Sequence, residues 1–199
     1  MKKAICLWLA LLMLCPAVSG LAIGVIPNLR EEVPAEPSAP AEFSFRGGIR
    51  WNMTRELVKA LETVELTERN QDSWSILFPL APVEVSKFRA DLVYMFYSDR
   101  LKMISYDFGA GGTEEDFRYL TGALDSVYGD HTEPEASDIV GIMDQIYPGY
   151  YHAETLTGRR GWTAEDGTLI YLYYYSGNAY AILYVYAGGA QQSYVTTGL

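Results

Sequence analysis

The groups in this 199-residue chain that could do chemistry are few. Two histidines each stand two residues before a glutamate, in His131-Thr132-Glu133 and His152-Ala153-Glu154. Either pair could supply two metal ligands. A metal centre needs three or four convergent ligands, and helical spacing of i, i+3 or i+4 is usual. These pairs fall in loops with no third partner in sight, so solvated histidines are expected, with no metal and no cofactor. Gly109-Ala110-Gly111-Gly112-Thr113 precedes a helix as a phosphate loop would. That helix opens with Glu114, Glu115 and Asp116, which repel a phosphate from the helix end that should attract it. Glycoside hydrolysis needs two carboxylates facing each other across a cleft, and adjacent acids such as Glu165 and Asp166 in a tight turn do not meet that need. There is no Gly-x-Ser-x-Gly run for a serine nucleophile. No catalytic residue is assigned, and the chain is not expected to be an enzyme. Asn52-Met53-Thr54 spells a glycosylation sequon, but Thr54 is better used as a helix cap, and the match is read as chance.

Recognition remains, and it points to Thr168–Tyr186, TLIYLYYYSGNAYAILYVY. Tyrosine joins broad apolar contact to a hydroxyl handle at low entropic cost. The candidate binding residues are Tyr171, Tyr173, Tyr175, Tyr180, Tyr184 and Tyr186. The stretch reads as a β-hairpin about Gly177-Asn178, because a primed two-residue turn needs positive φ. That loop pairs Tyr175 with Tyr180, Tyr173 with Ile182, Tyr171 with Tyr184 and Leu169 with Tyr186. Ile170, Leu172, Leu183 and Val185 then share the opposite, aliphatic face, with Tyr174 over Ala181. The tyrosine face is a binding platform if the helices cover the aliphatic one. Its area would be roughly 400–600 Å², the size at which exposure begins to imply a partner.

The elements that would hold this hairpin follow from the rest of the chain. Residues 1–22 read as a signal peptide, with basic Lys2 and Lys3 and an apolar run, Ala4–Leu14, too short to span a bilayer. Both cysteines, Cys6 and Cys15, lie inside it, so the mature chain has neither disulfide nor thiol. Leu14 before Cys15 and Pro16 after it disfavour lipid anchoring there. Residues 23–42 form a Pro/Ala/Glu-rich linker. Residues 43–187 make a single domain, and 188–199 a flexible tail. Loss of Lys2 and Lys3 takes the formal charge from −10 by two units to −12. Such an acidic surface repels phosphate backbones, so nucleic acid is not an expected partner.

Within the domain, Phe43–Trp51 reads as a strand interrupted at Gly47-Gly48. Thr54 caps a helix whose stripe is Leu57, Val58 and Leu61, running to about Leu66–Arg69. Strands follow at Trp74–Phe78, Glu84–Tyr97 and Leu101–Phe108, the last two joined by a three-residue turn. That turn places Leu92, Tyr94, Phe96, Ile104 and Tyr106 on one face, and Ser105 and Asp107 on the face of Arg89 and Asp91. Thr113 and Asp116 form a capping box for a helix striped by Phe117, Leu120, Leu124 and Val127 and stopped by Gly129. A third helix spans Ser137–Tyr147 and ends at Pro148-Gly149. Tyr150–Arg160 is a loop, and a short strand opens at Trp162. The fold class is α+β: a two-layer domain, mainly antiparallel sheet, covered on one face by about three helices.

The run FRGGIRWNMTRELVKALE resembles a pattern of uncharacterised secreted bacterial α+β proteins, in which a Phe-rich strand leads through Trp-Gly-Met-Ser/Thr into a short helix. Here it is Trp51-Asn52-Met53-Thr54, with Asn52 where glycine is usual. LTGALDSVYGD resembles their helix ending in Tyr-Gly, and Gly161-Trp162 with Asp166–Ile170 their next strand pair. More remotely, the helix entry is similar to small lipoproteins of the barrel-assembly type and to β-lactamase-inhibitor-like domains, which bind protein partners. The combined expectation is a secreted or cell-envelope, non-enzymatic binding module without a transmembrane span. A flat, wet aromatic face would favour a protein partner. Aromatics lining a groove with Asp, Asn or Arg at its rim would favour a carbohydrate such as a cell-wall glycan.

Overall fold

The computed structural model describes residues 43–175 and 179–186. The expected leader, linker and tail, and the Gly177-Asn178 turn, lie outside the described residues.

Chain entry is a tight loop, where a strand was expected. Ser44 and Arg50 make one antiparallel bridge around a single 3-10 turn, Arg46–Gly48, in which Gly47 and Gly48 take φ of 65° and 77°. Ile49 and Trp51 are carried into the core, and Trp51 Nε1 donates to Thr168 Oγ1 at 2.7 Å. Asn52 follows with φ 62°. Asparagine is among the few side chains that tolerate this left-handed region. Its own groups are used: the carbonyl accepts from Arg100, and Oδ1 accepts from Lys102 Nζ at 2.8 Å.

Thr54 then caps α1 (Arg55–Leu61), accepting from Leu57 N. The helix stops earlier than its sequence pattern implies. Its expected end, about Leu66–Arg69, belongs instead to strand β1 (Leu66–Gln71), because pairing with β2 (Trp74–Pro79) offers these residues a ladder. Alternation along β1 sends Glu68 to the α1 side, where Arg55 and Lys59 pair with it, and Arg69 to the other side.

The expected strand Glu84–Tyr97 is two elements, β3 (Val83–Val85) and β4 (Phe88–Tyr97), parted at Ser86, whose φ is 56°. A two-residue turn joins β4 to β5 (Arg100–Asp107), with Ser98 and Asp99 both at positive φ, the mark of a primed hairpin. A bulge at Lys102 then restores the expected pairing, Tyr94 with Ile104 and Val93 with Ser105. The faces expected of these strands are therefore observed.

Helix α2 (Glu114–Tyr128) has its capping box from Thr113 and Asp116, and buries Phe117, Leu120 and Leu124 while Val127 stays exposed. Helix α3 (Ala136–Met143) buries Ile139, Ile142 and Met143. After a second 3-10 turn, β6 (Thr157–Thr163), β7 (Leu169–Tyr175) and β8 (Ala179–Val185) complete an eight-stranded antiparallel sheet. Its order is β1-β2-β4-β5-β8-β7-β6, with β3 also on β4.

Two further expectations are corrected. The helices lie on both faces of the sheet. Val58 of α1 packs with Leu77, Leu92, Tyr94 and Ile104, and the apolar stripe of α2 with Ile170, Leu172 and Ile182. The buried side chains of α3 pack from the other side, with Ile76, Met95, Met103, Leu183 and Val185. Successive residues such as Tyr94 and Met95 are both buried, so the sheet is apolar on both faces and needs two covering layers. The second correction is a one-residue shift in the β7–β8 register: Tyr175 pairs with Ala179, Tyr174 with Tyr180 and Tyr173 with Ala181. This register sets Tyr173 and Tyr175 opposite small alanines. It also aligns Ile170, Leu172 and Tyr174 with Tyr184, Ile182 and Tyr180, each face apolar in its own way.

Candidate functional site

The shift divides the candidate tyrosines. Tyr171, Tyr173 and Tyr175 point to the α3 face, while Tyr180 and Tyr184 point to the α2 face. Tyr180 is buried, stacked on Phe108 at 4.9 Å, and burial pushes its hydroxyl up to about 12. Tyr184 lies against Phe43, Phe45 and Tyr106. Tyr186 lies against Trp51, with Lys102 Nζ 4.8 Å from its ring centroid. The six do not form one platform.

The α3 face does hold a tyrosine site, built largely from residues other than the six. A pocket of about 410 Å³ lies between the sheet and the segment after α3, lined by Arg69, Val93, Met95, Ser105, Asp107, Met143, Tyr147, Tyr150 and Tyr151. The size falls within the range of small-ligand sites. Val93, Met95, Ser105 and Asp107 come from adjacent positions of β4 and β5 on one face. Arg69 reaches in from β1.

The tyrosine wall is set by a local turn. Tyr150 N donates to Tyr147 O at 3.1 Å across Pro148-Gly149, and Gly149 has φ 70°. Proline followed by a positive-φ glycine is the pattern of a type II turn. Gly149 N is also held by Asp144 Oδ1 at 3.1 Å, which ties the turn to the end of α3. Rings then follow edge to face: Tyr150 to Tyr151 at 5.0 Å, and Tyr151 to Tyr175 at 5.7 Å. Tyr150 is 68% exposed and offers an open ring face at the mouth.

The polar groups sit around this wall. Asp107 Oδ1 accepts from Gly109 N at 2.8 Å, and Oδ2 accepts from the Tyr175 hydroxyl. Burial raises the Tyr175 hydroxyl, and donation to Asp107 raises it further. Burial likewise raises Tyr147, which feels Arg69 and Asp107 with opposite effect, and so registers both charges. Behind the wall, Tyr173 is fully buried, and its hydroxyl, near that of Tyr151, makes no hydrogen bond of good geometry among the described residues. Burial first, then the neighbouring Tyr151, Tyr175 and Asp107, push it well above the usual tyrosine range.

The other groups named from the sequence lie apart. His131 Nδ1 is 2.8 Å from Asp125 Oδ1, which also accepts from Trp162 Nε1 at 3.0 Å, so this histidine belongs to a structural cluster. His152 is exposed and precedes the second 3-10 turn. Among the described residues no group of three or more His, Cys, Asp or Glu is arranged to hold a metal. Gly109 and Thr113 serve Asp107 and the α2 cap.

Comparison with protein-family models, curated proteins and solved structures finds no match to this chain.

Of the candidates named from the sequence, Tyr175 stands beside this pocket through Tyr151; Arg69, Tyr147, Tyr150 and Tyr151 were not among them. The spacing Tyr147-Pro148-Gly149-Tyr150-Tyr151 was the available signal, since a Pro-Gly turn sets its flanking residues close together.

Proposed function

We propose that the domain is a non-enzymatic, extracytoplasmic binding module that holds a saccharide unit, such as part of a cell-wall glycan, in the tyrosine pocket. The observation that carries this reading is the combination of an open tyrosine ring with Arg69, Asp107 and Ser105 around one concave site. A sugar ring presents an apolar face to stack on a phenol and hydroxyls to a carboxylate and a guanidinium. Asp107 is the single acid of this lining among the described residues, and glycoside hydrolysis uses two, which supports binding without turnover. A protein partner, expected from a continuous tyrosine face, is less well supported because α3 covers one side of the hairpin and α2 the other.

The test is retention on purified peptidoglycan sacculi, with titration of soluble glycan fragments. Loss of stacking on Tyr150, taken as about 60 Å² of apolar cover at 25 cal/mol per Å², is about 1.5 kcal/mol, or roughly tenfold in affinity. Tyr150→Ala is expected to weaken binding by that factor with its melting temperature unchanged. Failure of the wild-type chain to bind any glycan would overturn the reading.

A further inference from the structure

Resting on that reading, we propose that the saccharide is an acidic one, at least two rings long, and that Arg69 is the residue that reads its carboxylate. Arg69 lines the pocket, while its strand neighbour Glu68 is spent on the other face in ion pairs with Arg55 and Lys59. Some cations of the domain are engaged with acids, Arg46 with Glu62, Arg55 with Asp99 and Lys87 with Asp116, while others such as Arg89 and Arg118 have no acid partner among the described residues but lie outside this lining. Arg69 has no ion pair among the described residues. A guanidinium without an acid partner, beside edge-to-face phenols, matches a carboxylate bidentately.

The acidity of the chain makes this group informative. A formal charge of −10 repels anions at long range. Repulsion from charges beyond about 8 Å is screened at physiological salt, whereas a direct guanidinium–carboxylate contact survives. An acidic ligand is therefore held only where a free cation meets it, and Arg69 is the cation in this lining.

Asp107 sets the polarity and the length. A carboxylate accepts and does not donate, so it takes hydroxyls and rejects a second acid. The ligand's carboxylate must lie at the Arg69 end and its hydroxyls at the Asp107 end. In register, Arg69 aligns through Ile76 and Met95 with Met103, three strands across, and Asp107 lies four residues further along β5. With strands about 4.8 Å apart and a rise of about 3.3 Å per residue, the Cα atoms are roughly 20 Å apart. A span of that order across one pocket suits two pyranose rings better than one.

The experiment compares two disaccharides by calorimetric titration at fixed salt: a neutral, β-linked N-acetylhexosamine pair, and the same pair carrying a lactyl-ether carboxylate on one ring. The wild-type protein is expected to prefer the acidic form at least tenfold, with the preference shrinking as salt rises. In Arg69→Gln, confirmed as folded by its melting curve, the preference should fall to within about twofold. Binding of both sugars without preference, or a preference that survives in Arg69→Gln, overturns the assignment while the saccharide reading stands. If neither sugar binds the folded wild-type protein, and sacculi do not retain it, the saccharide reading falls and this inference falls with it.

Discussion

Removal of the Tyr173 hydroxyl should make the protein more stable. Tyr173 has no exposed surface, and its hydroxyl makes no hydrogen bond of good geometry among the described residues, the Tyr151 hydroxyl being its nearby polar neighbour. A polar group buried without a partner costs about 1–3 kcal/mol. Phenylalanine keeps the ring and its packing with Leu183, Val185 and α3 and loses only the oxygen. Part of the gain is given back as a small void, so a net stabilisation of about 1–2 kcal/mol is expected for Tyr173→Phe. At about 2.1 cal/mol/K per residue over roughly 145 residues, the unfolding entropy is about 0.3 kcal/mol/K. The melting temperature should therefore rise by roughly 3–7 °C. Tyr175→Phe is the matched control, because its hydroxyl donates to Asp107. A bond to a charged acceptor is worth about 1.5–3 kcal/mol, somewhat less in a half-exposed place, so this variant should melt below wild type. Calorimetry of the three proteins gives the order. A Tyr173→Phe protein that melts at or below wild type would refute the reasoning, because its hydroxyl would then have to be satisfied.

Three further outcomes are expected. Thr113→Ala removes the side chain that accepts from Asp116 N and should cost about 1 kcal/mol in chemical denaturation. Glu68 is held below its ordinary 4.5 chiefly by the bond from Lys59, and Asp99 below 3.8 chiefly by the bond from Arg55. Depressed carboxylates contribute fully above their unfolded values and lose that contribution as pH falls through the folded ones. Melting temperature should drop below about pH 4, and Arg55→Ala should flatten that drop. At the alkaline end, burial raises Tyr173, Tyr175, Tyr151 and Tyr184, and takes Tyr106 up to about 12. Unfolded tyrosines ionise near 10 and these do not, so stability should fall above pH 10. Phenolate absorbance of these buried rings should appear only with unfolding.

Local chemistry was legible in the sequence where one residue type serves one geometry. Thr54, Thr113 with Asp116, and Gly129 mark helix ends because caps satisfy specific backbone groups. The face of Tyr94 and Ile104 was legible because Ser105, Asp107, Arg89 and Asp91 oppose it. The β7–β8 register was not, since Leu, Ile and Tyr alternate with Leu, Ile and Tyr and either register leaves both faces apolar. Helices on both faces follow from that same lack of contrast. Leu66–Gln71 misled because a polar edge strand has no apolar period of its own and is defined by its neighbour. That single misreading hid Arg69, and with it one end of the pocket.

The placement of β8 governs how the protein can be made. Strand β8, the last among the described residues, fills the middle of the sheet, between β5 and β7. Until residues 179–185 arrive, the β1–β5 meander and the β6–β7 ribbon each carry a bare central edge, and nothing in the sheet joins them. Such contacts between distant parts of a chain form slowly. The waiting edges invite pairing with other chains. A product that stops before residue 179 would thus be two separate pieces of sheet with open flanks, far from a slightly smaller domain. A protease or chaperone would meet it as an unfinished chain, and assembly of the sheet is completed only when the whole domain is present.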